Sequence, residues 1–153
     1  MSKTLFSRDD ILSLLPHRPP FLFVDKVTRF SCDRMIECEW YIEENACWFE
    51  GHFPQKPILP GVLATDALAQ TSGLLWGFSK KEHGDDSDQP QIFYLANVQM
   101  KYVSPALPGE TLVMNAVVER SFGSLYTYEV DACVGRKHIA KGNLTLAMMK
   151  GNL

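Results

Sequence analysis

The stretch PILPGVLATDALAQTSGLLWGFS, residues 57–79, carries one charged residue, Asp66, and no other. A segment this apolar on every side reads as a helix enclosed by the rest of the chain. The run from Gly61 to about residue 80 is also rich in small residues, among them Ala64, Ala67, Ala69, Ser72, Gly73 and Gly77. A curved sheet can wrap such a helix closely. Pro60 stands at its start, where a first-turn proline costs nothing because its missing N–H would be unpaired anyway. With 153 residues and 46% hydrophobic content, the chain can bury a core of its own, and one domain over residues 1–153 is expected.

The remaining elements follow from periodicity and turn chemistry. Ser7 and Asp10 resemble a capping box ahead of a short helix over residues 11–15. Residues 21–30 and 34–42 read as strands joined through residues 31–33, and Ile36, Cys38, Trp40 and Ile42 alternate with polar neighbours along the second. The polar segment KEHGDDSDQP, residues 81–90, reads as an exposed loop whose acids are solvated and match no metal-binding loop. Residues 91–103, 111–122, 125–134 and 138–149 read as four more strands, with hairpin turns at Gly123-Ser124 and Gly135-Arg136. The order predicts an α+β fold, an antiparallel sheet around one long central helix.

Chemistry concentrates in GHFPQKPILPGVLATDALAQ, residues 51–70. His52 precedes Phe53-Pro54, and Pro57 and Pro60 restrict the backbone around it, a rigidity that a plain solvent loop does not need. At Gly61, orphan N–H groups and the positive helix end suit a carbonyl oxygen that gains negative charge. Asp66 stands among Ala64, Thr65, Ala67, Leu68 and Ala69, where a carboxylate needs a partner or a purpose. Gln70, four residues on, shares its face and can hydrogen-bond it. These are the parts of an acid–base site. His17, His83 and His138 show no such setting and read as surface or hydrogen-bonded structural histidines.

The histidine loop, the Pro-Gly helix start and a helical acid fourteen residues after His52 resemble the signature of the β-hydroxyacyl-acyl carrier protein dehydratases of the FabZ/FabA family, which have the hotdog fold. LPHRPPFLFVDKV at residues 15–27 resembles that family's opening strand, and VSPALPGETL at 103–112 its later Pro-rich turn. Two departures stand out. FabZ-type enzymes generally carry glutamate where Asp66 stands and the FabA type carries aspartate, while Gln55 replaces a usual glycine.

The resemblance implies a (3R)-hydroxyacyl-[acyl carrier protein] dehydratase acting in fatty-acid, polyketide or polyene synthesis. His52 would be the base at C2 and Asp66 the acid at the C3 hydroxyl, its pKa raised by the apolar helix. The Gly61 N–H would polarise the thioester carbonyl, and Gln70 would orient Asp66 or the released water. The Ile58 carbonyl would orient the histidine ring, with Phe53 beside it at the substrate. In the family the histidine and the acid of one site come from different subunits, so a homodimer is implied, with a hexameric trimer of dimers as the larger alternative. Phe21, Phe23, Leu63, Leu74, Phe93 and Met100 are candidates for an acyl tunnel, and Lys56 and Lys101 for docking the acidic carrier protein. Isomerisation of the product to a 3-cis form stays open. The competing readings are a hotdog acyl thioesterase and a carrier-binding partner subunit without catalysis; the retained His52 and Asp66 argue against the second.

Composition excludes other classes. A net charge of −3 gives no general case for nucleic acid or an anionic membrane surface. Cys32, Cys38, Cys47 and Cys133 form no CxxC pair and no Cys/His metal spacing, so free thiols in a reducing cytoplasm are expected, with no metal and no cofactor. No apolar run of about 18 residues predicts membrane insertion, and no basic-then-apolar leader opens the chain.

Overall fold

The computed structural model describes residues 3–85 and 92–149. Its centre is α2, Gly61–Glu82, whose buried residues lie on all sides of the helix. One six-stranded antiparallel sheet curves around it: β1 (Lys26–Ser31), β2 (Met35–Tyr41), β3 (Ile92–Tyr102), β4 (Thr111–Phe122), β5 (Leu125–Val134) and β6 (Lys137–Met149). The strands run in the order β1-β2-β4-β5-β6-β3, so β1 and β3 are the two edges. The concave face is apolar with period two, as at Ile36, Cys38 and Trp40 of β2 and Leu112, Met114 and Ala116 of β4.

Local signals account for most boundaries. Ser7 and Asp10 complete the reciprocal capping box of α1, Arg8–Leu14. Both predicted hairpin turns form, and Gly123 and Gly135 take φ of 60° and 57°, a region open to glycine at no steric cost. Pro60 lies one position outside α2, as its N-cap, rather than within the first turn.

The strand expected over residues 21–30 begins only at Lys26. Leu22, Phe23 and Val24 are all buried, so this stretch does not alternate between two faces. It is a strap laid across α2, held by side-chain bonds instead of a ladder: the Phe23 N–H donates to Gln70 Oε1 at 2.8 Å, and the Phe21 carbonyl accepts from Gln70 Nε2 at 3.0 Å. Backbone pairing starts at Asp25, whose N–H donates to the Glu39 carbonyl at 2.8 Å. The loop expected over 81–90 starts later than predicted, because α2 continues to Glu82; residues 86–90 of that loop, and residue 91 of the strand expected after it, lie outside the described residues. A 3₁₀ turn, Cys47–Glu50, precedes the His52 loop and was not predicted.

Edge strand β3 differs from its neighbours. Tyr94, Leu95, Val98 and Tyr102 are exposed on it although each is large and apolar or aromatic. Among the described residues, no helix is long and apolar enough to cross a membrane.

Candidate active site

The His52 loop is closed on itself by backbone and side chain together. The Ile58 N–H donates to the His52 carbonyl at 3.2 Å, and His52 Nδ1 lies 3.0 Å from the Ile58 carbonyl oxygen. A carbonyl only accepts, so Nδ1 carries the hydrogen and Nε2 keeps its lone pair for an incoming proton. Phe53 stacks on the imidazole with ring centroids 4.5 Å apart. The loop is anchored at its far end, where the Leu59 N–H donates to the Ala106 carbonyl at 2.8 Å.

From there the chain enters α2. Leu63 and Ala64 both donate to the Pro60 carbonyl, whereas the Gly61 and Val62 N–H groups make no bond among the described residues and stay available at the positive helix end. A Cβ at Gly61 would lie 3.1 Å from the Tyr102 ring, whose hydroxyl is 2.6 Å from Thr65 Oγ1. Only glycine lets that ring lie over the helix start without displacement. Ile58, Gly61, Ala64, Tyr102 and Val103 line a cavity of about 390 Å³ at this point.

Asp66 occupies a different face of α2 and is half-buried. Gln70 Nε2 donates to Asp66 Oδ2 at 2.8 Å, leaving Oδ1 outside this bond. The Gln70 amide is itself completely buried and oriented by the strap, since it accepts from the Phe23 N–H and donates to the Phe21 carbonyl. Its orientation is therefore fixed by three bonds. One turn further along, a Cβ at Gly73 would fall 2.3 Å from the Phe93 ring, so Phe93 lies directly on the helix backbone beside Gln70.

Sequence reasoning set His17 aside, and the structure brings it to this face. Its ring packs on Phe93 with centroids 5.6 Å apart, and its Nδ1 is buried without a hydrogen-bond partner. Burial pulls its pKa below the usual imidazole value, while the neighbouring Asp66 carboxylate pulls it up and Arg18 pulls it down. Tyr102 was also missed. A signal existed for His17, which lies inside the LPHRPP stretch that carries the family resemblance; none existed for Tyr102, which strand pairing alone delivers to Gly61.

Of the tunnel candidates, Phe23, Leu63 and Leu74 are core residues, because the strap and the sheet close over them. Phe21 and Phe93 adjoin the Asp66 face, and Met100 is half-buried on β3. Lys56 and Lys101 are both exposed. Two groups thus form in the chain: His52 with Phe53 and Ile58 next to Gly61, and Asp66 with Gln70 next to His17. No hydrogen bond or ring contact among the described residues joins the two groups.

A sequence profile described as a FabA-like domain matches residues 15–143. The chain is 40% identical over 139 residues to the 3-hydroxyacyl-[acyl-carrier-protein] dehydratase FabZ of Polynucleobacter asymbioticus, covering 90% of this chain and 89% of that protein. It is 37% identical over 150 residues to the FabZ of Lactococcus lactis subsp. cremoris, covering 98% and 100%. Among solved structures, the dehydratase heterocomplex ApeI:P from Xenorhabdus doucetiae superimposes with a TM-score of 0.76 at 18% identity, over 92% of this chain and 91% of that one. A hypothetical thioesterase with coenzyme A from Streptococcus pneumoniae superimposes at 0.60 and 11% identity, over 84% and 88%, so the fold by itself does not select a reaction. The extent of the profile match and of the FabZ identity does what the fold cannot: this chain belongs to the FabZ/FabA hotdog family.

Proposed function

We propose that this chain is a hydro-lyase that eliminates water from a (3R)-3-hydroxyacyl thioester on an acyl carrier protein, giving the trans-2-enoyl thioester. The observation that carries this reading beyond family membership is the His52–Ile58 bond, which commits Nδ1 to a carbonyl and leaves Nε2 as a base. Nε2 takes the proton from C2. The electron pair left behind forms the C2–C3 double bond as the C3–O bond breaks, and Asp66 gives its proton to the departing hydroxyl, which leaves as water. Negative charge that builds on the thioester oxygen is met by the Gly61 N–H at the positive end of α2. Gln70 holds Oδ2 of Asp66, so Oδ1 is the oxygen presented to substrate.

The two groups of residues belong to one site if they come from different copies. The reading is therefore a homodimer, each site taking the His52 loop of one chain and the Asp66 face of the other, with a hexamer as a further level of assembly. Exposed apolar side chains beside the His52 loop support it: Phe53, Val62, Tyr102 and Val103 present an uncovered surface of the kind a second copy would bury. The whole chain acts as a single domain, and four free thiols favour a reducing cytoplasm.

The test is a mass assay on purified chain with 3-hydroxyacyl and saturated acyl carrier protein. Loss of water from the first supports dehydration. Release of free acid from the second would replace this reading with a thioesterase, and no change in either would replace it with a binding role.

A further inference from the structure

At the end of α2 remote from Gly61, the β1–β2 turn and the helix terminus bring Cys32, Asp33 and His83 together, and we propose that these three side chains form a structural binding site for a zinc-class divalent transition ion. Cys32 Sγ lies 3.7 Å from His83 Nε2 and 3.6 Å from Asp33 Oδ2, and His83 Nε2 lies 2.5 Å from Asp33 Oδ2. Among the described residues this is the one group of three such donors whose ligating atoms all fall within 4.8 Å of one another. A tetrahedral zinc ion with usual bond lengths separates a sulfur from a nitrogen ligand by about 3.6 Å and a nitrogen from an oxygen by about 3.3 Å. The sulfur already stands at that spacing. Only the Asp33–His83 ion pair has to open, by less than about 1 Å, and both side chains are exposed enough to do so.

The backbone under these ligands is built to hold them. Asp33 takes φ of 59°, unusual for a residue with a side chain, and its N–H donates to the buried Ser79 Oγ at 2.8 Å. That bond ties the hairpin turn to the last turn of α2, and the Arg34 N–H closes the turn on the Ser31 carbonyl at 3.0 Å. His83 is the C-cap of the helix, with its N–H on the Ser79 and Lys80 carbonyls. Two ligands on a closed turn and one on a helix cap leave little order to be gained on binding. A thiolate with an imidazole selects zinc-like ions over magnesium or calcium, which prefer all-oxygen shells. Water completes the coordination, so the ion would fasten the hairpin to α2 rather than act in the dehydration. Sequence spacing could not reveal this, because Cys32 and His83 are 51 residues apart.

The test is titration of the metal-free full-length chain with Co²⁺, followed by thiolate-to-cobalt charge-transfer absorption in the near ultraviolet. One Co²⁺ per chain is expected, displaced by Zn²⁺ and not by Mg²⁺ or Ca²⁺. Cys32→Ser should remove the band, and His83→Ala should weaken binding by at least about tenfold, no less than losing a partner of a ligand costs. Both should keep wild-type dehydratase turnover, which shows that they fold. Cys133→Ser is the control: Cys133 has His138 Nδ1 at 3.5 Å and Asp131 Oδ2 at 3.9 Å, but among the described residues these three donors do not all come within 4.8 Å of one another, and the variant should bind like wild type. Zn²⁺ should raise the Tm of wild type and of Cys133→Ser, not of Cys32→Ser. No band in wild type, a band that survives Cys32→Ser, or one lost in Cys133→Ser would overturn the site.

Discussion

The acid half and the base half of the candidate site are made in opposite ways. Asp66 rests on a completely buried glutamine whose three hydrogen bonds all close within the chain, under the strap of residues 21–25. His52 sits on a loop at the surface, oriented by a single carbonyl, and around it Phe53, Val62 and Tyr102 stand exposed at 54%, 71% and 51%. One half is finished as core is finished. The other presents exposed apolar side chains around its base, and that asymmetry agrees with the proposal that the site is shared between two copies.

The strongest way to break this comparison is to remove the chemistry from one half at a time. Asp66→Asn keeps the shape and can still accept from Gln70, so the fold should survive while dehydration falls by about 100-fold or more. His52→Ala should cost at least as much. Near-normal turnover of a 3-hydroxyacyl thioester by the Asn variant would place the acid elsewhere. Asp66→Glu, which inserts one methylene and matches the FabZ-type acid, should retain measurable activity. The sharing itself is tested by mixing His52→Ala with Asp66→Ala chains under conditions of subunit exchange. Each heterodimer should regain about one intact site. A mixture as inactive as its components, with exchange verified by mass, would show that both residues serve the same chain.

Smaller effects sharpen the contrast between a braced and an unbraced half. Gln70→Ala leaves the Phe23 N–H and Phe21 carbonyl unpaired beneath the strap, and should destabilise the chain by about 2–4 kcal/mol. Turnover should fall about tenfold as Asp66 loses its orienting donor, read at a temperature where the variant is folded. Gly73→Ala drives a Cβ to 2.3 Å from the Phe93 ring, which must shift, at a cost of about 1–3 kcal/mol measured by urea unfolding. A Gly73→Ala chain as stable as wild type would mean that Phe93 is not packed on the helix.

The same asymmetry explains what the sequence discloses. The enclosed helix, the capping box and the two Gly hairpins are local, written in periodicity and turn chemistry, and β4 and β5 take the predicted bounds. Asp66 and Gln70 are legible because four residues along a helix is a contact distance. The strap is not, because Leu22, Phe23 and Val24 look like a strand until Gln70, nearly fifty residues away, supplies the bonds that hold them. Tyr102 over Gly61 and His17 on Phe93 are likewise products of strand order. A pairing fixed by topology leaves no trace in local spacing.

The mildest test concerns His17, a titratable neighbour that burial places beside the acid half. Its imidazole has a lowered pKa in the folded chain, with burial the largest cause, so the unfolded chain binds the proton more readily. Above the unfolded value of 6.5 the ring is neutral in both states and the fold loses nothing. As the pH falls through 6.5 toward the folded value, the unfolded state takes up the proton first, and stability declines over that window. Asp25 contributes with the opposite sign, because burial raises its carboxyl above 3.8 and its protonation favours the folded state as the pH falls. That background cancels when two chains differing only at position 17 are compared. His17→Gln keeps a polar side chain without a titrating ring, so the wild-type urea midpoint should drop more than the variant's between about pH 7.5 and pH 5.5. Parallel midpoints would mean that His17 is solvated, and would separate it from Asp66 and from the half of the site it adjoins.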